Sequence, residues 1–104
     1  MSEPNLIKEM LEEELDRNAR AQAAYESERA QLPKGSVVIK RRGSCEYCYL
    51  KFREGKKVIT EYAGIAQDVE KSLREKVAQR KDIEARLKQL KNEQRYIEKA
   101  LRID

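Results

Sequence analysis

Residues 43–55 read GSCEYCYLKFREG, and this stretch decides the fold. It begins with Gly43-Ser44, ends with Glu54-Gly55, and holds tyrosine, leucine and phenylalanine in between. Aromatic and aliphatic residues bounded by glycine-containing pairs are typical of a β-strand between two tight turns. The flanking residues continue the pattern, so residues 37–62 are predicted to form a three-stranded antiparallel meander.

Two-residue loops fix which residues oppose each other in the predicted sheet. A loop at Gly43-Ser44 gives the pairs Arg42 with Cys45, Lys40 with Tyr47, and Val38 with Tyr49. A loop at Glu54-Gly55 gives the pairs Arg53 with Lys56, Lys51 with Val58, Tyr49 with Thr60, and Tyr47 with Tyr62.

Side chains alternate between the two sides of a strand, so the register sorts the sheet into two faces. The apolar face gathers Val37, Ile39, Cys48, Leu50, Phe52 and Ile59. The other, which we call the basic–aromatic face, gathers Val38, Lys40, Arg42, Tyr47, Tyr49, Lys51, Arg53, Lys56, Thr60 and Tyr62. The two hairpins are registered independently and agree on which face is apolar, which supports the meander.

The first flanking helix is predicted over residues 4–31. Its apolar residues recur at three- and four-residue steps, as in an amphipathic helix: Leu6, Ile7, Met10, Leu11, Leu15, Ala19 and Tyr25. Ser2 or Asn5 is the candidate N-terminal cap. Pro33 ends the helix, because the residue before a proline avoids helical geometry.

The second flanking helix, residues 65–102, has no internal glycine or proline and would be about 55 Å long. Alternating four- and three-residue steps give it coiled-coil character, with a seam of Ile83, Leu87, Leu90, Gln94, Ile97 and Leu101. We expect Ile83, Leu87, Leu90, Ile97 and Leu101 to form a homo-oligomer, as a dimer, or else to pack within the chain on Leu11, Leu15 and Ala19. The predicted fold class is α+β, as a single domain over residues 1–104.

Composition argues against several classes of protein. The chain has 104 residues, of which 40% are charged and 6% aromatic, and it contains no histidine. No apolar run approaches the roughly 18 residues that span a bilayer, so no membrane partner is expected. The first four residues, MSEP, lack the apolar core of an export signal, which predicts a cytoplasmic protein.

The C-x-x-C at Cys45 and Cys48 is predicted to carry no metal or redox chemistry. In a strand the two side chains point to opposite faces, with Cα atoms about 10 Å apart, whereas a disulfide needs about 7 Å or less. A zinc site needs four ligands, and the chain has no further cysteine and no histidine. We expect Cys48 in the core and Cys45 at the surface.

Charge points to a binding function. Residues 34–57 hold eight basic and two acidic side chains, which favours an acidic partner. Lysine and arginine can contact phosphates, and tyrosine can stack on bases. We predict binding of nucleic acid through Lys40, Arg42, Tyr47, Tyr49, Lys51, Arg53, Lys56 and Tyr62, and these residues leave the type of nucleic acid open.

Other interpretations of the same residues stay open. If helices cover the tyrosines, the basic–aromatic face is structural and its lysines only surround a half-exposed sheet. The chain would then be a structural or oligomerisation module that acts through the long helix. There is no glycine-rich phosphate loop and no G-x-S-x-G, so we expect no enzyme, no cofactor and no small-molecule substrate.

The motifs LPKGS at residues 32–36, YCYLKFREGKKV at 47–58 and YAG at 62–64 carry a resemblance. In order and spacing they resemble a family of small archaeal and bacterial proteins with the pattern LPKGS, YYYLQYREGGKV and YxG before a charged helix. Cys48 stands where that pattern has tyrosine. The family's activity is not established, so the resemblance implies the layout of residues 32–102 and no particular chemistry.

A looser resemblance is to the three-stranded arm-binding domain of phage-type tyrosine recombinases. That domain also has a Gly-Ser start, a basic first strand, an Arg-x-Gly-Lys hairpin and a following helix. The resemblance implies that the sheet would enter a DNA groove. The present chain departs from those proteins in lacking their catalytic domain and in having a longer charged helix.

Overall fold

A computed structural model describes residues 5–102. Helix α1 (Leu6–Ala30) is followed by strands β1 (Ser36–Arg42), β2 (Cys45–Glu54) and β3 (Lys57–Ile65), and then by helix α2 (Ala66–Leu101). The sheet has the order β1-β2-β3 with both neighbouring pairs antiparallel, so the predicted α+β class is confirmed. No helix within the described residues has the length and apolar character to cross a membrane.

Helix α1 begins where a polar side chain caps it. The backbone N–H of Lys8 donates to Asn5 Oδ1 at 3.0 Å, which satisfies an amide that has no partner inside the helix. Asn5 was one of the two predicted caps. The other, Ser2, and the predicted start at residue 4 lie outside the described residues. The helix ends at Ala30, three residues before Pro33.

The first hairpin has the predicted register. Arg42 pairs with Cys45, Lys40 with Tyr47, and Val38 with Tyr49, across a loop at Gly43-Ser44. Gly43 has φ of 63°, and no residue other than glycine has a positive φ in the described chain. A positive φ at only the first loop residue is the pattern of a type II′ turn, which suits the twist of a hairpin.

The predicted register of the second hairpin is wrong by two residues. The loop is Gly55-Lys56 and not Glu54-Gly55, so Lys51 pairs with Thr60. Tyr49 consequently pairs with Tyr62. Gly55 has φ of 62° and takes the first loop position, as glycine does in the first hairpin. A shift of two residues preserves the side of every strand residue, so the division into two faces holds.

A β-bulge interrupts β3 near its end. Tyr49 pairs with Tyr62, but Cys48 pairs with Gly64, so Ala63 is the extra residue. Tyr47 therefore pairs with Ile65 and not, as predicted, with Tyr62. Gly64 has φ of 143°, and a Cβ placed there would lie 3.0 Å from Val69 Cγ1. Only glycine combines this backbone conformation with such a close approach of α2.

The chain divides into two compact units that share α2, and the single domain over residues 1–104 stays a prediction. The first unit, Ala30–Asp82, holds the sheet and the first half of α2. Its buried apolar residues are Cys48 on β2 and Ala66 and Val77 on α2. Arg80 donates from Nη1 to the carbonyl of Leu32 at 2.7 Å, which fixes the segment before β1 to α2.

The second unit comprises, within the described residues, 5–29 and 83–102. Polar side chains link its two helices: Gln22 Nε2 donates to Gln94 Oε1 at 2.7 Å, and Lys91 Nζ lies 3.9 Å from Glu26 Oε1. These contacts hold α1 against the second half of α2. Asn18, which is buried, donates from Nδ2 to the carbonyl of Leu90 at 2.8 Å.

The inner side of α1 differs from the predicted apolar stripe. Its less exposed positions follow four- and three-residue steps, at Leu11, Leu15, Asn18, Gln22 and Tyr25. Four members of the predicted stripe are exposed instead: Leu6, Ile7, Met10 and Ala19. Asn18 and Gln22 can take inward positions because hydrogen bonds to Leu90 and Gln94 satisfy their amides.

Candidate nucleic-acid interface

The sheet brings seven of the eight predicted nucleic-acid-binding residues to one face. Lys40 and Arg42 lie on β1, Tyr62 lies on β3, and β2 carries Tyr47, Tyr49, Lys51 and Arg53. The eighth residue, Lys56, lies in the loop between β2 and β3 and not opposite Arg53 in a strand. The correct register places Val58 opposite Arg53.

Three tyrosine rings form a cluster on this face. The rings of Tyr49 and Tyr62 meet edge to face, with centroids 5.5 Å apart and an interplanar angle of 63°. The Tyr47 ring is tilted against Tyr62 with centroids 6.2 Å apart. Aromatic pairs favour such geometry because the positive ring edge meets the negative ring face. The cluster holds the three side chains in fixed positions across β2 and β3.

A cation lies over the cluster. Lys40 Nζ is 4.9 Å from the centroid of the Tyr49 ring, within the range of a cation–π interaction. Lys40 pairs with Tyr47, and the next pair on the same face is Val38 with Tyr49. With Tyr62 on β3, three strands contribute to one continuous basic and aromatic surface. Lys51 and Arg53 extend the positive charge along β2, and both side chains are exposed.

The basic–aromatic face contains no acidic residue. The sheet has three glutamates, and the alternation of side chains places all three on the other side of the sheet. Glu46 pairs with Arg41, Glu54 with Lys57, and Glu61 with Leu50. The four basic strand residues of the face therefore have no carboxylate beside them on that side of the sheet. The charges on the face are therefore of one sign, which attracts anions.

The face is open to solvent within the chain. Tyr62 is 58% exposed and Val58 is 52% exposed, while Tyr47 and Tyr49, whose rings both contact Tyr62, are half-buried. The possibility that a helix covers the tyrosines is thereby excluded for Tyr62. Val58 was left out of the predicted site, although the predicted register already placed it opposite Lys51 on this face and a β-branched residue in a strand is the expected signal.

The two cysteines of β2 lie on different sides of the sheet. Cys48 pairs with Ile39 on the apolar face and is 0% exposed, and burial raises the pKa of its thiol, with nearby Glu70 adding to the rise. Cys45 is half-buried, and its side chain interacts with Tyr47. A hydrogen bond with Cys45 is the first cause of a raised pKa for the Tyr47 hydroxyl, so that tyrosine stays neutral at physiological pH.

Both thiols are free, and no group of three or more histidine, cysteine, aspartate or glutamate side chains within residues 5–102 has metal-binding geometry. The groups that the basic–aromatic face offers to a ligand are hydrogen-bond donors, cations and aromatic rings. Those groups recognise phosphates and planar bases.

The predicted oligomerisation residues lie in the helical unit. Ile83, Leu87 and Leu90 are buried within the single chain, while Ile97 and Leu101 are half-buried. The hydrogen bond from Asn18 to the Leu90 carbonyl places α1 against this seam. The packing resembles the intramolecular alternative, and a dimer through the same seam would have to displace α1. Oligomerisation through the seam stays a prediction.

Comparisons of the chain with models of protein families, with curated proteins and with solved structures gave no match.

Proposed function

We propose that the basic–aromatic face binds nucleic acid and that the chain is a non-enzymatic cytoplasmic binding module. The observation that supports this most strongly is the sorting of charge by strand register. Four basic residues and three tyrosines share one open face, and all three glutamates of the sheet belong to the other. A solvated sheet without a ligand has no need of such sorting.

Each kind of side chain has a role in the proposed complex. Lys40, Arg42, Lys51 and Arg53 contact phosphates, which supplies affinity and a strong dependence on salt. Tyr62, the most exposed of the three tyrosines, stacks on a base, and Tyr47 and Tyr49 hold its ring in place. DNA is the nucleic acid that the recombinase resemblance implies, and a small sheet can also enter a duplex groove.

The proposal is tested by a fluorescence-anisotropy titration of labelled DNA, as a duplex and as a single strand, at low and at physiological salt. We expect binding whose logarithmic dependence on salt has a slope of about −4 or steeper, as four or more phosphate contacts require. The absence of binding to both forms at low salt would overturn the proposal.

Two double variants separate the face from the net charge of the protein. Lys51→Gln with Arg53→Gln removes two cations from the basic–aromatic face. Arg41→Gln with Lys57→Gln removes two cations from the other side of the same sheet. In the strand pairing Arg41 lies opposite Glu46 and Lys57 lies opposite Glu54. Both variants have the same net charge. We expect the first to weaken binding about tenfold or more and to lower the salt slope by about 2, and the second to change both far less. Equal losses would show that binding is not located on this face.

A further inference from the structure

The exposed large apolar side chains of the sheet all lie on β3. Val58, Tyr62 and Ile65 are 52%, 58% and 40% exposed, whereas the large apolar side chains of β1 and β2 are buried or half-buried. Each of the three pairs with a β2 residue of the basic–aromatic face, namely Arg53, Tyr49 and Tyr47 in turn. Core packing does not account for side chains that stay exposed on the side opposite the buried Cys48.

The cations of the face lie on the other two strands. Lys40 and Arg42 lie on β1, and Lys51 and Arg53 lie on β2. The β3 side chains of the same face carry no charge, and we call them the uncharged strip: Val58, Thr60, Tyr62 and Ile65. The face is therefore charged along β1 and β2 and uncharged along β3.

This division matches a ligand that is anionic along one side and flat and apolar along the other. A single strand of nucleic acid has that character, because its phosphates follow the backbone and the faces of its bases are free to stack. In a duplex only the base edges reach the grooves, and a backbone flanks each groove on both sides. A duplex would bring phosphates to the uncharged strip, where no cation meets them.

The side chains of the strands also disfavour reading of a duplex. Asparagine and glutamine are the side chains that pair with adenine in the major groove, and none of the three strands contains either. The exposed ring of the face belongs to Tyr62, and placing it between the bases of a duplex would require unstacking a base step. Contacts with Tyr47 and Tyr49, at centroid distances of 6.2 and 5.5 Å, already position this ring.

We propose that the basic–aromatic face selects single-stranded nucleic acid over the duplex. The backbone follows the cations of β1 and β2, and the bases lie on the uncharged strip, where Tyr62 stacks on one of them. This inference rests on the proposed function and gives the class of its ligand, which differs from the duplex that the recombinase resemblance implies.

Charge alone would give the opposite preference. A duplex carries one negative charge per roughly 1.7 Å of its axis, and each of its strands carries one per roughly 3.4 Å. A surface that only attracts phosphates therefore binds the duplex more tightly. Preference for the single strand requires the rings and apolar side chains of the face.

The test is a fluorescence-anisotropy titration of the full chain at one salt concentration. The probes are a labelled thymidine oligomer of about 20 nucleotides, which exceeds the roughly 4–16 that a small single-strand-binding domain covers, and the same oligomer paired with its complement. We expect the single strand to bind about tenfold more tightly or better. Duplex binding that is as tight or tighter would overturn the inference and leave the proposed function standing. Failure of both probes to bind would overturn the proposed function, and the inference with it.

Two substitutions of Tyr62 locate the preference. Tyr62→Leu removes the ring and keeps an apolar side chain, whereas Tyr62→Phe keeps the ring. We expect Tyr62→Leu to weaken single-strand binding about fivefold or more and duplex binding less than about twofold, and Tyr62→Phe to stay within about twofold of the wild type for both. Circular dichroism checks that both variants are folded. The proposal is overturned if Tyr62→Leu leaves the ratio of the two affinities unchanged, or if Tyr62→Phe loses as much single-strand binding as Tyr62→Leu.

Discussion

Cys48 and Tyr49 are neighbours on β2, yet they belong to different environments. Cys48 is completely buried and pairs with Ile39 beneath the first half of α2. Tyr49 lies on the other side, between the ammonium of Lys40 and the ring of Tyr62. A strand directs successive side chains to opposite sides, so Cys48 contributes to stability while its neighbour Tyr49 belongs to the proposed binding surface. Substitutions on the two faces should therefore have separable effects.

The largest effect is expected on the apolar face. Cys48→Asp places a carboxylate where no solvent reaches, and we expect the free energy of unfolding to fall by at least about 3 kcal/mol. Urea denaturation followed by circular dichroism measures the change. Cys45→Asp is the matched control on the same strand, and its cost should stay under about 1 kcal/mol because Cys45 is only half-buried. Comparable losses for the two would contradict the separation of the faces.

Gly64→Ala should have the next largest effect, at the place where α2 lies closest to the sheet. The φ of 143° strains any side chain, and the new Cβ would lie 3.0 Å from Val69 Cγ1. We expect a loss of about 1–3 kcal/mol in the free energy of unfolding, measured by urea denaturation.

A second substitution divides that loss between its two causes. Val69→Ala in the Gly64→Ala background removes the crowding atoms and leaves the backbone strain. If crowding dominates, Gly64→Ala should cost less in the Val69→Ala background than in the wild type. An unchanged cost would assign the effect to backbone conformation alone.

Tyr62→Ala tests the basic–aromatic face without touching the core. Tyr62 is more than half exposed, so we expect a small effect on stability. Loss of a stacking ring should weaken binding to single-stranded DNA by about 1–3 kcal/mol, or roughly 5- to 150-fold, by fluorescence anisotropy. Tyr96→Ala, which removes an exposed tyrosine from the helical unit, is the control and should bind as the wild type does. Unchanged affinity for Tyr62→Ala would exclude stacking by this residue.

The smallest effect concerns pH. Burial raises the pKa of Cys48 above its ordinary value of 9.0, and Arg74 only partly opposes the rise. The folded state therefore holds the thiol proton more tightly than the unfolded chain. This contribution to stability is complete below pH 9.0 and is lost as pH rises above it.

Unfolding measured from pH 7 to 10 should show the loss as a difference between variants. Wild type should lose more stability than Cys48→Ala above pH 9, by at most about 1.4 kcal/mol per pH unit for one proton. Parallel curves for wild type and Cys48→Ala would show that the buried thiol does not titrate with unfolding.

The elements and the first hairpin could be predicted from sequence because local chemistry determines them. Gly43 takes the first position of a two-residue loop, and the register of β1 with β2 follows from that position. The same rule applied to Gly55 gives the correct second hairpin. The predicted Glu54-Gly55 loop placed glycine second, and this choice displaced Val58 and Lys56 from their observed positions.

The bulge and the inner side of α1 could not be predicted because they depend on distant partners. The extra residue at Ala63 accompanies the close approach of Val69 to Gly64, which the spacing of β3 alone does not reveal. Asn18 and Gln22 lie on the inner side only because Leu90 and Gln94, each 72 residues further along the chain, accept the hydrogen bonds that their side-chain amides donate. A hydrophobic pattern assigns such polar residues to solvent.

Successive side chains of β2 alternate between the two faces, so a change in the length of the strand changes the face on which later residues lie. Deleting Leu50 would carry Glu54 onto the basic–aromatic face and Lys51 onto the apolar one. Deleting two would shorten the surface and keep every remaining charge on its side. Length changes within β2 therefore preserve both faces only in even numbers, and the loops at Gly43-Ser44 and Gly55-Lys56 determine which residue begins the alternation on each strand.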